Sequence, residues 1–204
     1  MDVIELNDIK LLFVKDENGT SYIGGNQYWY PKEGYFTRGA CGAATASNML
    51  AYMLRMQQKL NTKAEYIDFM KKVYPYFAPS WIGLHAPWFI KGMKKFGADF
   101  GHPVTARCLK APIWPIKRPS YQEAADFIGS SLKADVPVAF LALSGGDVKY
   151  IYKWHWMTII GLDEENRKIK ILDNNKISWA DLGLWLKKSM LGGALIMLYQ
   201  HISE

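Results

Sequence analysis

The chain has 204 residues, half of them apolar and 22% charged, a balance that excludes disordered and collagen-like architectures. A chain of this length buries roughly 70% of its unfolded surface and needs no disulfide framework, so Cys41 and Cys108 fit a reducing compartment. Lys and Arg exceed Asp and Glu by 25 to 19, giving +6. The lysines come in pairs near expected helix ends (Lys71-Lys72, Lys94-Lys95, Lys187-Lys188), where they complement the helix dipole and face solvent. Nucleic acid is therefore not an expected partner. Nor is a membrane: no apolar run is long enough to span a bilayer, and residues 1–10 lack the pattern of a signal peptide. We expect one cytoplasmic domain over residues 1–204.

In chain order, residues 9–15 and 20–24 read as a hairpin around Asn18-Gly19, since Asn-Gly accepts a tight turn. An aromatic loop without period follows from Gln27 to Gly39. Cys41 then opens a helix to about Gln58, with small residues (Ala43, Ala44, Ser47, Ala51) on one side and Leu50, Met53 and Leu54 at helical spacing. Thr62 with Glu65 forms a capping-box signal for a helix to Val73, stopped before Pro75. Residues 87–96 form a third helix, closed by Gly97, and 104–109 a strand. Ser120 with Glu123 opens a helix to about Ala134. Strands follow over 137–143, 155–162 and 168–173, then a helix over 178–188 capped by Ser178, then a strand over 194–199. Helices first and an antiparallel sheet later argue an α+β fold.

Cys41 lies at a presumed first helical turn, after Gly39-Ala40 and before Gly42. Unpaired N–H groups and the helix dipole favour a thiolate there, although a lone Cys is more often a buried small apolar residue. His155 opens a strand that turns over residues 163–167 and returns over 168–173. With a five-residue turn, Leu162 stands opposite Lys168, Met157 opposite Asp173 and His155 opposite Asn175. His155, Asp173 and Asn175 then project from one face, and a carboxylate or amide there holds an imidazole in the tautomer a thiol partner needs. An even-length turn would put Asp173 on the other face. Gln27, in Gly24-Gly25-Asn26-Gln27, is a candidate side-chain donor to an oxyanion beside the Cys41 N–H. Trp29, Trp154 and Trp156 are expected to wall the cleft, with Tyr28 and Tyr30 beside them. His85, His102 and His201 have no metal-ligand spacing to either cysteine, and no glycine pair continues into a phosphate loop. No metal and no cofactor are expected.

The segment from Gly39 to Leu50 (Gly-Ala-Cys-Gly-Ala-Ala-Thr-Ala-Ser-Asn-Met-Leu) resembles the nucleophile helix of papain-like cysteine peptidases of the C39-like type. The later half is similar as well: Val136-Pro137-Val138, then His155 opening a strand that ends in Gly161-Leu162-Asp163, then Ile171-Leu172-Asp173. The order Cys, His, Asp is the papain-like order, and the resemblance spans residues 27–175, roughly three quarters of the chain.

The resemblance implies a papain-like fold, a Cys-bearing helix packed on a sheet carrying His and Asp. It implies Cys41 as nucleophile, His155 as general base and acid, Asp173 as orienting residue and Gln27 as oxyanion donor, acting on a peptide or protein substrate. Two positions depart from the family pattern. The family's Gln stands about six residues before the Cys, where this chain has Tyr35. Its Asp precedes Pro, where this chain has Asn174-Asn175, so Asn175 rivals Asp173 as the third member. A transglutaminase-type acyl transferase, a cell-wall peptide hydrolase and a catalytically silent peptide-binding module share these features. The oligomeric state is left open.

Overall fold

The computed structural model describes residues 3–54, 60–79 and 83–200. It is an α+β structure. Strands β1 (Ile4–Glu5), β2 (Phe13–Lys15) and β3 (Ser21–Ile23) precede α1 (Cys41–Met53), α2 (Lys63–Phe77) and α3 (Ala86–Asp99). Then come β4 (Val104–Ala111), α4 (Tyr121–Lys133), β5 (Val138–Ala142), β6 (His155–Asp163), β7 (Lys168–Asp173), β8 (Lys176–Asp181), α5 (Leu182–Lys188) and β9 (Gly193–Gln200). Strands β2 and β3 form a separate hairpin. The main sheet runs β4-β9-β5-β6-β7-β8, with β1 also paired to β6, and every pairing in it is antiparallel.

Helix α1 is buried along nearly its whole length, from Gly42 to Tyr52, which explains its apolar and small-residue composition on every side. It packs between α2 and β6. Both capping boxes form, Thr62 with Glu65 at α2 and Ser120 with Glu123 at α4. The expected helix end before Pro75 is corrected: α2 runs on to Phe77 with Pro75 inside it. An interior proline costs about 3 kcal/mol, and the burial of Tyr74 and Phe77, the latter against Phe89 at 5.3 Å, outweighs it. Likewise α3 passes through Gly97 and ends in a Schellman turn at Gly101 (φ +75), with His102 N–H to Gly97 O at 2.7 Å and Gly101 N–H to Ala98 O at 3.3 Å.

Residues 9–12 form a 3-10 turn ahead of β2 rather than strand. The helix expected from Ser178 is also corrected. Asn174 (φ +46) and Asn175 (φ +64) make a two-residue turn closed by Asp173 opposite Lys176, and this hairpin commits residues 176–181 to β8. The helix starts only at Leu182, where Asp181 caps the Leu184 N–H at 2.7 Å. The distal end of the first expected helix, residues 55–58, lies outside the described residues.

The β6–β7 register decides which side chains share a face. The turn has four residues, 164–167, because Asp163 pairs with Lys168. An even turn of that kind alone would send Asp173 away from His155. Between Ile159 and Gly161 the register shifts by one residue, so that Ile159 pairs with Ile171 and Thr158 with Leu172. Turn and bulge compensate, and Asp173 returns to the pleat that His155 occupies.

Candidate functional site

Cys41 is the first residue of α1 and His155 the first residue of β6. The helix N-terminus therefore meets the strand at the end of the sheet, where a side chain on the far pleat can still reach around. Trp156 and Thr158 turn toward α1: Trp156 packs beside Gly42, and Thr158 Oγ1 accepts from Asn48 Nδ2 at 3.4 Å. His155 belongs to the alternate pleat, with Nε2 2.9 Å from Asp173 Oδ1. The Cys41 side chain lies near enough to act on the imidazole as well. Burial works to push the imidazole down, and hydrogen bonds and charge from Asp173 and Cys41 overcome it, raising His155 from 6.5 to about 10.

The N-cap of α1, Ala40, offers no side-chain hydrogen bond. The first-turn N–H groups, including that of Cys41, thus lack the capping oxygen most helices supply. Space at Gly42 is tight: a Cβ there would lie 2.5 Å from Leu84 Cδ2 and 3.2 Å from Trp156 Cδ1, so the leucine tip would have to shift.

Asp173 and its successors are tied to the loop that carries Gln27. Asn174 Nδ2 donates to Asp173 Oδ1 at 2.9 Å, while Asn174 Oδ1 accepts the Gln27 N–H at 3.0 Å. Asn175 donates to the carbonyls of Ile23 (3.2 Å) and Gly24 (2.7 Å) and accepts from Asn26 Nδ2 at 2.9 Å. Asn175 therefore faces the loop, and Asp173 is the partner of His155. The expected pairing of His155 opposite Asn175 does not form, because the chain has already turned into β8. Asn48 completes the frame, accepting from the Gly25 N–H at 2.7 Å and the Tyr66 hydroxyl at 2.9 Å. Gly24, at φ +62, brings the chain close to Asn48 and Leu172, where a Cβ would stand 2.8 Å from each.

Gln27 is buried, with Oε1 lacking a hydrogen-bond partner. It lines a cavity of about 570 Å³ together with His155, Asp173, Tyr28, Tyr150 and Tyr152. Cys41 lines a separate crevice of about 70 Å³ with Gly39, Leu84, His85, Trp154 and Trp156. The two depressions flank the Cys41–His155 pair. Trp154 is exposed at the crevice wall, held at φ +54. Trp156 forms its inner side, stacked on Phe89 at 4.4 Å with Nε1 donating to Leu84 O at 2.8 Å.

Trp29 requires correction: it borders neither depression, but packs edge-on against Tyr22 (5.4 Å) and Tyr66 (6.4 Å) under the Lys63 ammonium. Tyr30 is likewise buried, stacked on Tyr35 at 5.4 Å. A 3-10 turn over Gln27–Trp29 sends Tyr28 outward and its two neighbours inward. Tyr35, at the position six before Cys41, is part of that aromatic stack.

Sequence reading missed Tyr150, Tyr152 and His85. Tyr152 stands edge-on to His155 at 5.8 Å. The loop carrying it holds Asp147, Tyr150 and Trp154 at positive φ, a conformation that Tyr and Trp rarely adopt and that their presence does not announce. Among the described residues, no group of three or more His, Cys, Asp or Glu side chains converges as a metal site. No helix among them is long and apolar enough to cross a membrane.

No family model and no curated protein matches the chain. Among solved structures, it is similar to the peptidase domain of Streptococcus ComA, a bi-functional ABC transporter involved in a quorum sensing pathway. The identity is 15%, the TM-score 0.44, and the match covers 79% of this chain and 91% of that one.

Proposed function

We propose that this chain is a cysteine peptidase-like hydrolase that cleaves a peptide or amide bond through an acyl-enzyme. The observation that carries the reading is the run of contacts from Cys41 through His155 to Asp173, beginning at an uncapped helix N-terminus. A thiol, an imidazole and a carboxylate in that order are the parts of a nucleophile, its base and the base's orienter.

In this reading His155, held in place by Asp173, takes the proton of the Cys41 thiol. The sulfur attacks the carbonyl carbon, and the carbonyl electron pair moves onto oxygen. That oxyanion accepts the Cys41 backbone N–H and the Gln27 side-chain amide, donors of the kind that contribute about 2.7–4 kcal/mol each. The tetrahedral intermediate collapses as His155 gives its proton to the leaving nitrogen, which departs as an amine. Neutral His155 then takes a proton from water, the hydroxide attacks the thioester, and the sulfur leaves as thiolate with the proton retained on His155. The flanking depressions suit a polypeptide laid across the sulfur, with Tyr152 and Trp154 on either side.

The test is the pH dependence of alkylation at each cysteine, read by mass spectrometry on the folded protein, with His155→Ala alongside. Rapid reaction at Cys41 near pH 6 that the variant loses, with Cys108 inert, supports the reading. A Cys41 that reacts only as a free thiol does removes the nucleophile, and a peptide-binding module becomes the better description.

A further inference from the structure

The end of the sheet that holds His155 carries a second feature. The strand register aligns Ala111, Gly193, Ala142 and His155 in one row across β4, β9, β5 and β6. Three inter-strand steps of about 4.8 Å put the loop after β4 about 14 Å from His155. That loop is Pro112-Ile113-Trp114-Pro115-Ile116-Lys117. Ile113 is 52% exposed, Trp114 67% and Ile116 94%, and beside them Met190, before β9, is 78% exposed.

These side chains are not loose ends. The Arg118 guanidinium donates to the carbonyls of Pro112 (2.9 Å), Ile113 (3.0 Å), Leu186 (3.0 Å) and Met190 (3.4 Å). It thereby fastens the loop to the turn before β9. Ser144 Oγ accepts the N–H groups of Met190 (2.8 Å) and Leu191 (3.2 Å), fastening that turn to the loop before His155. A fixed apolar tip held out in water is costly to maintain and marks an interaction surface.

The charges around it select the partner. Lys117 follows the tip, Lys187 and Lys188 end α5 just before Met190, and all three are exposed. None has an ion-pair partner among the described residues. Exposed Trp and Ile side chains ringed by lysines are the chemistry of insertion into an anionic bilayer surface, where indole sits at the headgroup level and ammonium groups meet lipid phosphates.

We propose that this end of the sheet docks on an anionic lipid membrane through Ile113, Trp114, Ile116 and Met190, with Lys117, Lys187 and Lys188 on the headgroups. Trp154, at the crevice mouth, is also 58% exposed and belongs to the same end. Docking therefore holds the Cys41–His155 pair close above the interface, facing substrates that lie on the lipid. This is attachment to a surface rather than a span, and it departs from the sequence reading, which expected no membrane partner.

The experiment is co-sedimentation of the full chain with vesicles of phosphatidylcholine alone and with about 30% phosphatidylserine. The chain should bind only the anionic vesicles, and less as salt is raised. Trp114→Ser with Ile116→Ser, and separately Lys117→Glu with Lys187→Glu and Lys188→Glu, should each weaken binding about tenfold or more at unchanged thermal midpoint. Ile116→Ser alone, at the most exposed position, serves if the double variant fails to fold. Binding to neither vesicle, or equal binding by the Trp114/Ile116 variants, overturns the proposal. So does a concentration-dependent dimer without vesicle binding that those variants abolish, which would assign the tip to a second copy of this chain. The readout needs no catalysis, so its failure leaves the peptidase reading standing, and Cys41→Ala should bind vesicles as the parent does.

Discussion

His155 Nε2 and Asp173 Oδ1 lie 2.9 Å apart across a hairpin whose register changes between its tip and their end. The contact is thus the product of a turn and a bulge together, and neither alone would form it. Asp173 is in turn fixed by Asn174, whose backbone conformation the two-residue turn demands.

Replacing Asp173 should separate its two contributions. Asp173→Asn keeps an acceptor of the same shape and removes the charge, so His155, followed by NMR titration, should move down from about 10 toward 6.5. Amide hydrolysis should fall less than in Asp173→Ala, where the imidazole also loses its orientation and a drop of about 10²-fold or more is expected. Equal rates in the two variants would remove the orienting role.

The same group sets a pH signature of stability. Because His155 is raised in the fold above its unfolded value of 6.5, its protonation stabilises the protein fully below that value. The contribution fades as pH rises toward about 10. Urea midpoints of the parent and His155→Gln should therefore converge between about pH 6.5 and 10. A gap that stays constant or widens over that range contradicts the raised value.

Gln27→Ala should uncouple activity from stability. The buried Oε1 has no hydrogen-bond partner, so its removal leaves no protein donor orphaned and relieves a desolvated group. Thermal stability should stay level or rise, while kcat falls about 10²–10³-fold with little change in KM, as expected for a donor that acts on the transition state. A variant with parental kcat would exclude Gln27 from the oxyanion site.

Gly42→Ala tests the packing behind Cys41. The added methyl would stand 2.5 Å from Leu84 Cδ2, and overpacking of this order costs about 1–3 kcal/mol. Chemical denaturation should show a lowered midpoint at unchanged slope. Undiminished stability would mean that Leu84 yields freely.

What the sequence made legible was mostly local. The two capping boxes are short-range hydrogen-bond patterns, and both formed as Thr62–Glu65 and Ser120–Glu123 imply. Pro75 and Ser178 misled for the opposite reason. Their local preferences were overruled by burial of Phe77 and by pairing of β8 to β7, which are decided at a distance. At the site, His155 and Asp173 share a side as expected, although the turn is one residue shorter than supposed and the bulge restores the difference. Tyr28, Trp29 and Tyr30 form a run of three aromatics, and only the turn geometry says that Tyr28 faces out and the other two in. The residues that were missed, Tyr150, Tyr152 and His85, reach the site on irregular backbone, where no periodicity exists to read.

The bulge in β6 is itself held from far away. The carbonyl of Ile160, at the point of the register shift, accepts the Leu6 N–H at 3.2 Å, and β1 pairs Glu5 with Gly161 beside it. The first strand thus works as a latch on the counting of the hairpin. With residues 4–6 removed, the shift loses its clamp, and β6 is free to slide by one position against β7. The imidazole and the carboxylate would then face apart while Cys41, His155 and Asp173 all remained present. In this molecule the alignment of His155 with Asp173 is written partly in residues 4–6, which pair with β6 at the other side of the bulge.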